Sequence, residues 1–268
     1  MRRTISAGLI FIGTAAAASA ADLPEAPAAK VPDAVESAKA VTSWQGFYAG
    51  VTAGAVIDNS SITPTAGGLF QVYNADRYAQ AYNSKLGGSG SGPTIGGTLG
   101  YNFQWKALVA GVEADFSYSD RKQSGNVLTS TGLVRGQNIL KSYSIEGDWF
   151  GTLRARTGVA VGPALIYGTG GLAFGQADAN LDIAGTGGSP YSWSGSSSKV
   201  RWGWTAGGGV ETQFASHWSA KLEYLYVDLG SDNFSLANGA NNPVPAFTIN
   251  AKADYAFSIV RAGINYRF

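Results

Sequence analysis

Apolar and polar side chains alternate with a period of two along much of the chain from residue 44 onward. Leu108, Ala110, Val112, Ala114, Phe116 and Tyr118 share one parity, and Val109, Gly111, Glu113, Asp115, Ser117 and Ser119 the other. The same division sets Leu153, Ala155, Thr157 and Val159 against Thr152, Arg154, Arg156 and Gly158. Trp218, Ala220, Leu222, Tyr224 and Tyr226 oppose Lys221 and Glu223, and Val260, Ala262, Ile264, Tyr266 and Phe268 oppose Arg261, Gly263, Asn265 and Arg267. A strand turns successive side chains to opposite faces, so each such segment predicts a strand with one greasy and one polar side.

Eight segments rich in aromatic and β-branched residues are predicted as strands, at 44–56, 93–103, 108–119, 149–161, 165–177, 200–214, 218–228 and 253–268. The first and fifth alternate too weakly for their faces to be assigned. The connections at 104–107, 162–164 and 215–217 are tight, whereas 57–92, 120–148, 178–199 and 229–252 are long and full of Gly, Ser, Asn and Pro. Short turns at one end and long loops at the other are the layout of an outer-membrane barrel, and an even strand count returns both termini to the short-turn side.

Which face points inward follows from size. The apolar faces carry the bulky residues, while the polar faces are thick with glycine, and small side chains suit the inside of a narrow eight-stranded tube. The expected fold class is therefore all-β: an eight-stranded antiparallel up-and-down transmembrane β-barrel with four long extracellular loops and short periplasmic turns. Aromatics fall toward both strand ends, as two membrane interfaces favour. Trp44, Phe47, Phe103, Trp105, Phe214 and Trp218 lie on the short-turn side. Tyr118, Trp149, Phe150, Trp202, Trp204, Tyr224 and Tyr226 lie on the long-loop side.

Composition agrees. Charged residues make up 14% of the 268, and there are 37 Gly, against usual shares of about 25% and about 7%. Arg2 and Arg3 precede an uncharged stretch that ends in Ala18-Ser19-Ala20, the pattern of a cleaved secretory signal over residues 1–20. Residues 21–43, rich in Ala and Pro with scattered charge, read as a flexible periplasmic tail, leaving 44–268 as the barrel. Removing residues 1–20 moves the formal charge from +1 to −1, which offers no electrostatic case for nucleic acid. Cysteine is absent, so no disulfide contributes and zinc sites built on Cys are excluded.

Four stretches carry a family resemblance: Ala-Ala-Asp-Leu-Pro at 20–24, Trp-Gln-Gly-Phe-Tyr-Ala-Gly at 44–50, Val-Ala-Gly-Val-Glu-Ala-Asp-Phe at 109–116, and Ile-Asn-Tyr-Arg-Phe at 264–268. In these the chain resembles the small outer-membrane proteins of alphaproteobacteria, the RopB-type group of the opacity/OmpA-like "porin family" superfamily. The resemblance implies a cell outer membrane location, lipid and lipopolysaccharide as surroundings, and a terminal Phe268 read by the barrel-assembly machinery. Envelope integrity, surface antigenicity and, in some members, hemin binding are the roles it suggests. It carries no catalytic residues.

The residues themselves point the same way. The single His217 falls in a tight turn beside Trp218, a weak basis for a metal or a catalytic centre. Glu113 and Asp115 share a strand face, as a catalytic carboxylate pair would. The predicted interior, however, also holds Glu211 and Glu223 with Arg154, Arg156, Lys221, Arg261 and Arg267. Unpaired charges in a narrow tube are costly, so a mutually compensating network is expected. The Gly-rich run 87–92 has no following Lys-Ser/Thr and is no phosphate loop. No enzyme, no catalytic, metal or cofactor site and no cofactor is expected. The primary expectation is a structural, surface-interacting barrel. The alternatives are hemin or another hydrophobic ligand held by loop aromatics (Tyr73, Tyr78, Tyr82, Tyr191, Trp193, Phe234, Phe247), or weak porin-like transport.

Overall fold

The computed structural model describes residues 43–72, 81–130 and 137–268. The signal (1–20), nearly all of the tail (21–43), Tyr73 and Tyr78 lie outside the described residues. Ten strand segments follow one another: β1 (Gly46–Asp58), β2 (Ser61–Gly68), β3 (Leu86–Gly87), β4 (Gly90–Trp105), β5 (Leu108–Ser130), β6 (Asn138–Val161), β7 (Ala164–Gly185), β8 (Ser192–Gln213), β9 (Trp218–Asn238) and β10 (Phe247–Arg267). One 3-10 turn, Leu69–Gln71, follows β2.

The ten segments make eight strands of a closed ring. β2 continues β1 along β10, since Asp58 faces Phe257, Asn59 N–H donates to the Ala256 carbonyl at 2.9 Å, and Ser61 faces Asp254. β3 likewise continues β4 in one register: Asp58 pairs with Gly90 and Ser61 with Gly87. Each neighbour is antiparallel, and β1 closes the ring on β10 from Tyr48↔Arg267 to Asp58↔Phe257. In the membrane-spanning half, closure pairs the backbone of each of the eight strands on both sides, which a membrane demands because no water is there to satisfy orphaned amides. At the tight turns, Lys106 (φ 53°) and Gly162 (φ 58°) take the left-handed conformation that reverses the chain in so few residues.

The eight predicted segments all fall on these strands, but the strands run further. Among the described residues, most of 120–148, 178–199 and 229–252 is strand: β5 reaches Ser130, β6 begins at Asn138, and β7 extends to Gly185. Gly, Ser and Asn have poor intrinsic β preference, yet the ladders continue because their inward residues bury an apolar interior. Ile139, Ile145, Leu181, Ile183, Leu236 and Ile249 are all buried there. Local propensity is overridden by cross-strand pairing and burial.

Above the membrane the ring parts along two seams. The β4–β5 ladder stops at Thr94↔Ser119, and the β8–β9 ladder stops at Trp204↔Asp228, resuming only at Ser194↔Ala237. Two sheets thus face each other across an apolar core in the extracellular half, as in a small sandwich.

Candidate functional site

In the membrane-spanning half the parity is that of a lipid-solvated barrel. Val112, Leu153 and Leu222 are 54%, 54% and 55% exposed, while their chain neighbours Glu113, Arg154 and Lys221 are 2%, 1% and 2% exposed. The two strands whose faces the sequence left open follow suit. In β1, Phe47 and Val51 point out and Tyr48 and Thr52 in; in β7, Ile166 and Leu172 point out and Tyr167 and Ala173 in.

The lumen at this level is filled by ion pairs. Arg154 donates from Nη2 to Glu113 and to Asp115 Oδ2 (3.0 Å), from Nη1 to Glu223 Oε1 (3.0 Å), and from Nε to Thr152 Oγ1 (3.0 Å). Arg261 joins Asp115 Oδ1 at 3.2 Å and Glu223 Oε2 at 2.7 Å. Arg156 holds Glu211 Oε2 at 2.8 Å, and Lys221 Nζ holds Glu113 Oε2 at 3.1 Å. With Arg156 Nη1 also 3.5 Å from Glu113 Oε2, the sequence-predicted pair Glu113 and Asp115 is engaged by four cations, which leaves no free carboxylate couple for acid–base work. Arg267 is a correction. It sits at the periplasmic rim, where Nη2 donates to the Ser216 carbonyl at 2.9 Å and Nη1 to that of Ser43. Four acids then face four cations, a neutral set, as burial requires.

Sequence reading missed two members because they lie on β1 and β7. Tyr48 OH donates to Glu113 Oε2 (2.8 Å) and accepts from Arg156 Nη1 (3.0 Å), and Tyr167 OH donates to Glu223 Oε1 (3.0 Å). The Arg156 guanidinium also lies 4.3 Å from the Tyr167 ring centre, a cation–π contact. A usable signal was present in glycine parity. Gly50 and Gly54 share Tyr48's face, and Gly171 and Gly175 share Tyr167's. Small residues mark the inside of the tube. Gly100 shows why: a Cβ there would stand 2.3 Å from the Tyr48 ring.

Both ends of the lumen are stopped by aromatics. At the periplasmic mouth Trp44, expected in the outer belt, is instead buried against Val109, Leu165 and Tyr167. Its backbone N–H donates to Gln104 Oε1 at 2.5 Å. Phe150 also leaves the predicted outer belt, turning inward to meet Phe257 at 5.4 Å. His217 is exposed in its turn and stacks on Tyr266 at 5.7 Å.

The loop aromatics are a second correction. Tyr82 and Trp193 are buried and Tyr191 and Phe247 partly so, all packed around Phe70 or one another at 4.6–6.0 Å. They plug the extracellular end, because the extended strands bring residues far apart in sequence into one interior.

Lys141 pins this plug. Its ammonium, fully buried in the wall of β6, donates to the Tyr82 carbonyl at 3.1 Å and to Ser84 Oγ. Burial pulls its pKa down to about 8 from the usual 10.5. The unfolded chain therefore binds more protons between these values, so stability should rise with pH across that window. In Lys141→Met the rise should shrink, read as the urea midpoint at pH 8 and pH 10. An unchanged pH dependence would place the ammonium in water.

Comparison with known proteins places the chain among relatives. The family model described as the outer membrane protein beta-barrel domain matches residues 7–268. The 31 kDa outer-membrane immunogenic protein of Brucella melitensis biotype 1 is 32% identical over 264 residues, covering 95% of each chain. The 22 kDa outer membrane protein of Rhizobium leguminosarum bv. viciae is 30% identical over 205 residues, covering 75% of this chain and 72% of that one. Among solved structures, the outer membrane protein OprG from Pseudomonas aeruginosa aligns over 84% of this chain and 97% of its own, with 13% identity and a TM-score of 0.42. A lipid-facing apolar wall around a charge-balanced lumen, joined to this likeness over nearly the whole chain, identifies an outer-membrane protein that belongs to the outer membrane protein β-barrel family.

Proposed function

We propose that the protein is a non-enzymatic structural barrel that strengthens the outer membrane and presents its extracellular sheets at the cell surface. One observation carries this reading: the lumen is occupied end to end by the ion-pair network, the apolar layer above it and the aromatic plugs. Such a filled tube suits anchorage and display better than diffusion or catalysis. Chemistry would need a free nucleophile or base, and the buried carboxylates are all engaged by cations. Lipid and lipopolysaccharide chains solvate the outer wall. Among the described residues, the aromatics that would hold hemin (Tyr82, Tyr191, Trp193, Phe234 and Phe247) are spent on packing. The Brucella relatives are named immunogenic, which supports surface display.

The test is removal of the protein from its own outer membrane. Cells should become more permeable to detergent, and the parent chain should restore the barrier. Antibody raised against the β5–β6 extension should bind intact cells. Planar bilayers with the purified protein should stay silent. Steady conductance, together with an unaltered detergent barrier, would overturn the reading.

Assembly gives a further check. Phe268 is exposed, and its N–H donates to the Phe47 carbonyl at 3.0 Å, so it closes no core. Phe268→Ser should reduce the folded barrel in cells several-fold while leaving the urea midpoint of protein refolded in detergent unchanged. A matching loss in both would make Phe268 a stability residue and not an assembly signal.

A further inference from the structure

The lipid-facing wall is not smooth. On β5 the outward residue Ala114 is small, and the residues around it are tall. Leu99 lies opposite it on β4 and Leu153 opposite it on β6, while Val112 precedes it on the same face. All three are more than half exposed, so they stand up from the wall as a rim around the alanine. One row nearer the periplasm, Phe47 of β1 faces Tyr101 of β4, and their rings meet at 4.6 Å.

The result is a groove of about 620 Å³ that runs from Phe268 and Phe47 past Tyr101 to Ala114 and Leu153. Ligand clefts commonly measure roughly 300–1,000 Å³. Gly100 lies in its floor, and the Tyr48 ring backs that glycine from the lumen side. The outward side chains along the groove are all aromatic or aliphatic.

Depth identifies the occupant. Phe47, Tyr101 and Phe268 stand in the aromatic collar at the periplasmic interface, close to the tight turns. Ala114 and Leu153 lie near mid-span. The groove therefore covers the depth of one leaflet, the inner one. That is the extent of a lipid chain whose headgroup sits at the periplasmic surface. Lipopolysaccharide occupies the opposite leaflet, so the matching lipid is a phospholipid.

Packing decides what stays there. Surrounding lipid tails are as apolar as the groove, so a chain gains nothing by leaving them except closer contact. A chain seated in a recess touches carbon on three sides, where a flat wall offers one, and each contact adds a small dispersion attraction. A second barrel fits poorly, because Phe47, Leu99, Val112 and Leu153 would hold another strand wall off the floor.

We propose that this groove is a binding site for one acyl chain of an inner-leaflet phospholipid, held longer than the lipids around it. The headgroup lies at the collar formed by Phe47, Tyr101 and Phe268, and the chain ends over Ala114. The alanine sets the depth of the seat, since a larger side chain there fills it. The site is independent of whatever the extracellular sheets meet.

Native mass spectrometry of the full barrel, folded in mild detergent and titrated with palmitoyl-oleoyl phosphatidylethanolamine, reads the site. One lipid adduct should saturate before a second forms. Ala114→Phe should weaken that first adduct by about tenfold, the worth of roughly ten lost carbon contacts. Ala206 is exposed on β8, three strands away from β5. Ala206→Phe makes the same change there and should leave the first adduct unaltered. Ala114→Leu should give an intermediate loss, and it replaces the phenylalanine variant if that one folds poorly, as judged by heat-dependent gel mobility. In the parent chain, a phospholipid with a diazirine midway along its acyl chain should cross-link to Leu99, Val112 or Leu153 in preference to the β8 wall. Equal weakening by the Ala114 and Ala206 substitutions, or by neither, overturns the proposal, because lipid would then coat the wall without a seat. Cross-links spread evenly around the barrel overturn it as well, as does a second copy of the chain in place of the lipid adduct.

Discussion

Arg154→Leu should lower the stability of the folded barrel by about 3–5 kcal/mol, the usual cost of removing one partner from a buried ion pair. The physical reason is what remains behind. Glu113, Asp115 and Glu223 all lean on this one guanidinium. Its loss leaves four carboxylates against three cations inside a wall closed to water. Urea unfolding of protein refolded in lipid vesicles, followed by tryptophan fluorescence, measures the change. Arg154→Lys should recover only part of it, because an ammonium lacks the planar fork that reaches three carboxylates at once. Arg154→Leu combined with Glu113→Gln should recover more, since it restores neutrality. A loss below about 1 kcal/mol would mean that water enters the network freely.

The neighbouring residue should behave in the opposite sense. Leu153→Arg places a charge on the lipid face near mid-span, between Ala114 of β5 and Leu172 of β7. The expected cost is about 2–4 kcal/mol, the range for Arg or Lys at the membrane midplane. Leu153→Val, by contrast, should change little. The pair of adjacent substitutions is diagnostic: leucine is ruinous at 154 and arginine at 153. If Leu153→Arg were harmless in vesicles, lipid would not be the solvent of that face.

Much of this was legible in the chain because a strand's side-chain period is two and lipid on one side sharpens the contrast. Leu153 against Arg154 and Leu222 against Lys221 needed no coordinates. Trp44 and Phe150 were misplaced for a physical reason: an aromatic near a strand end suits either an interface belt or a plug, and only its parity and the local width of the tube decide. Arg267 has the inward parity of Arg261, yet β10 ends at it, so its side chain reaches the rim and bonds carbonyls there. In the long connections weak β formers suggested loops, while the inward apolar positions (Ile139, Leu181, Ile183, Ile249) carried the signal of continued strand.

The order of residues alone determined the architecture: eight strands, the inward and outward faces of six of them in the membrane, and the charged members of the lumen on five of them. These follow from local alternation and from tight turns, which depend on neighbours in sequence. Only the tertiary structure decided which acid meets which cation, that Tyr48 and Tyr167 join them, that aromatics scattered from Phe70 to Phe247 become one plug, and that β8 and β9 part above the membrane. Those outcomes depend on register and on how a tube closes, which bring together residues more than a hundred positions apart and leave no mark on a local pattern.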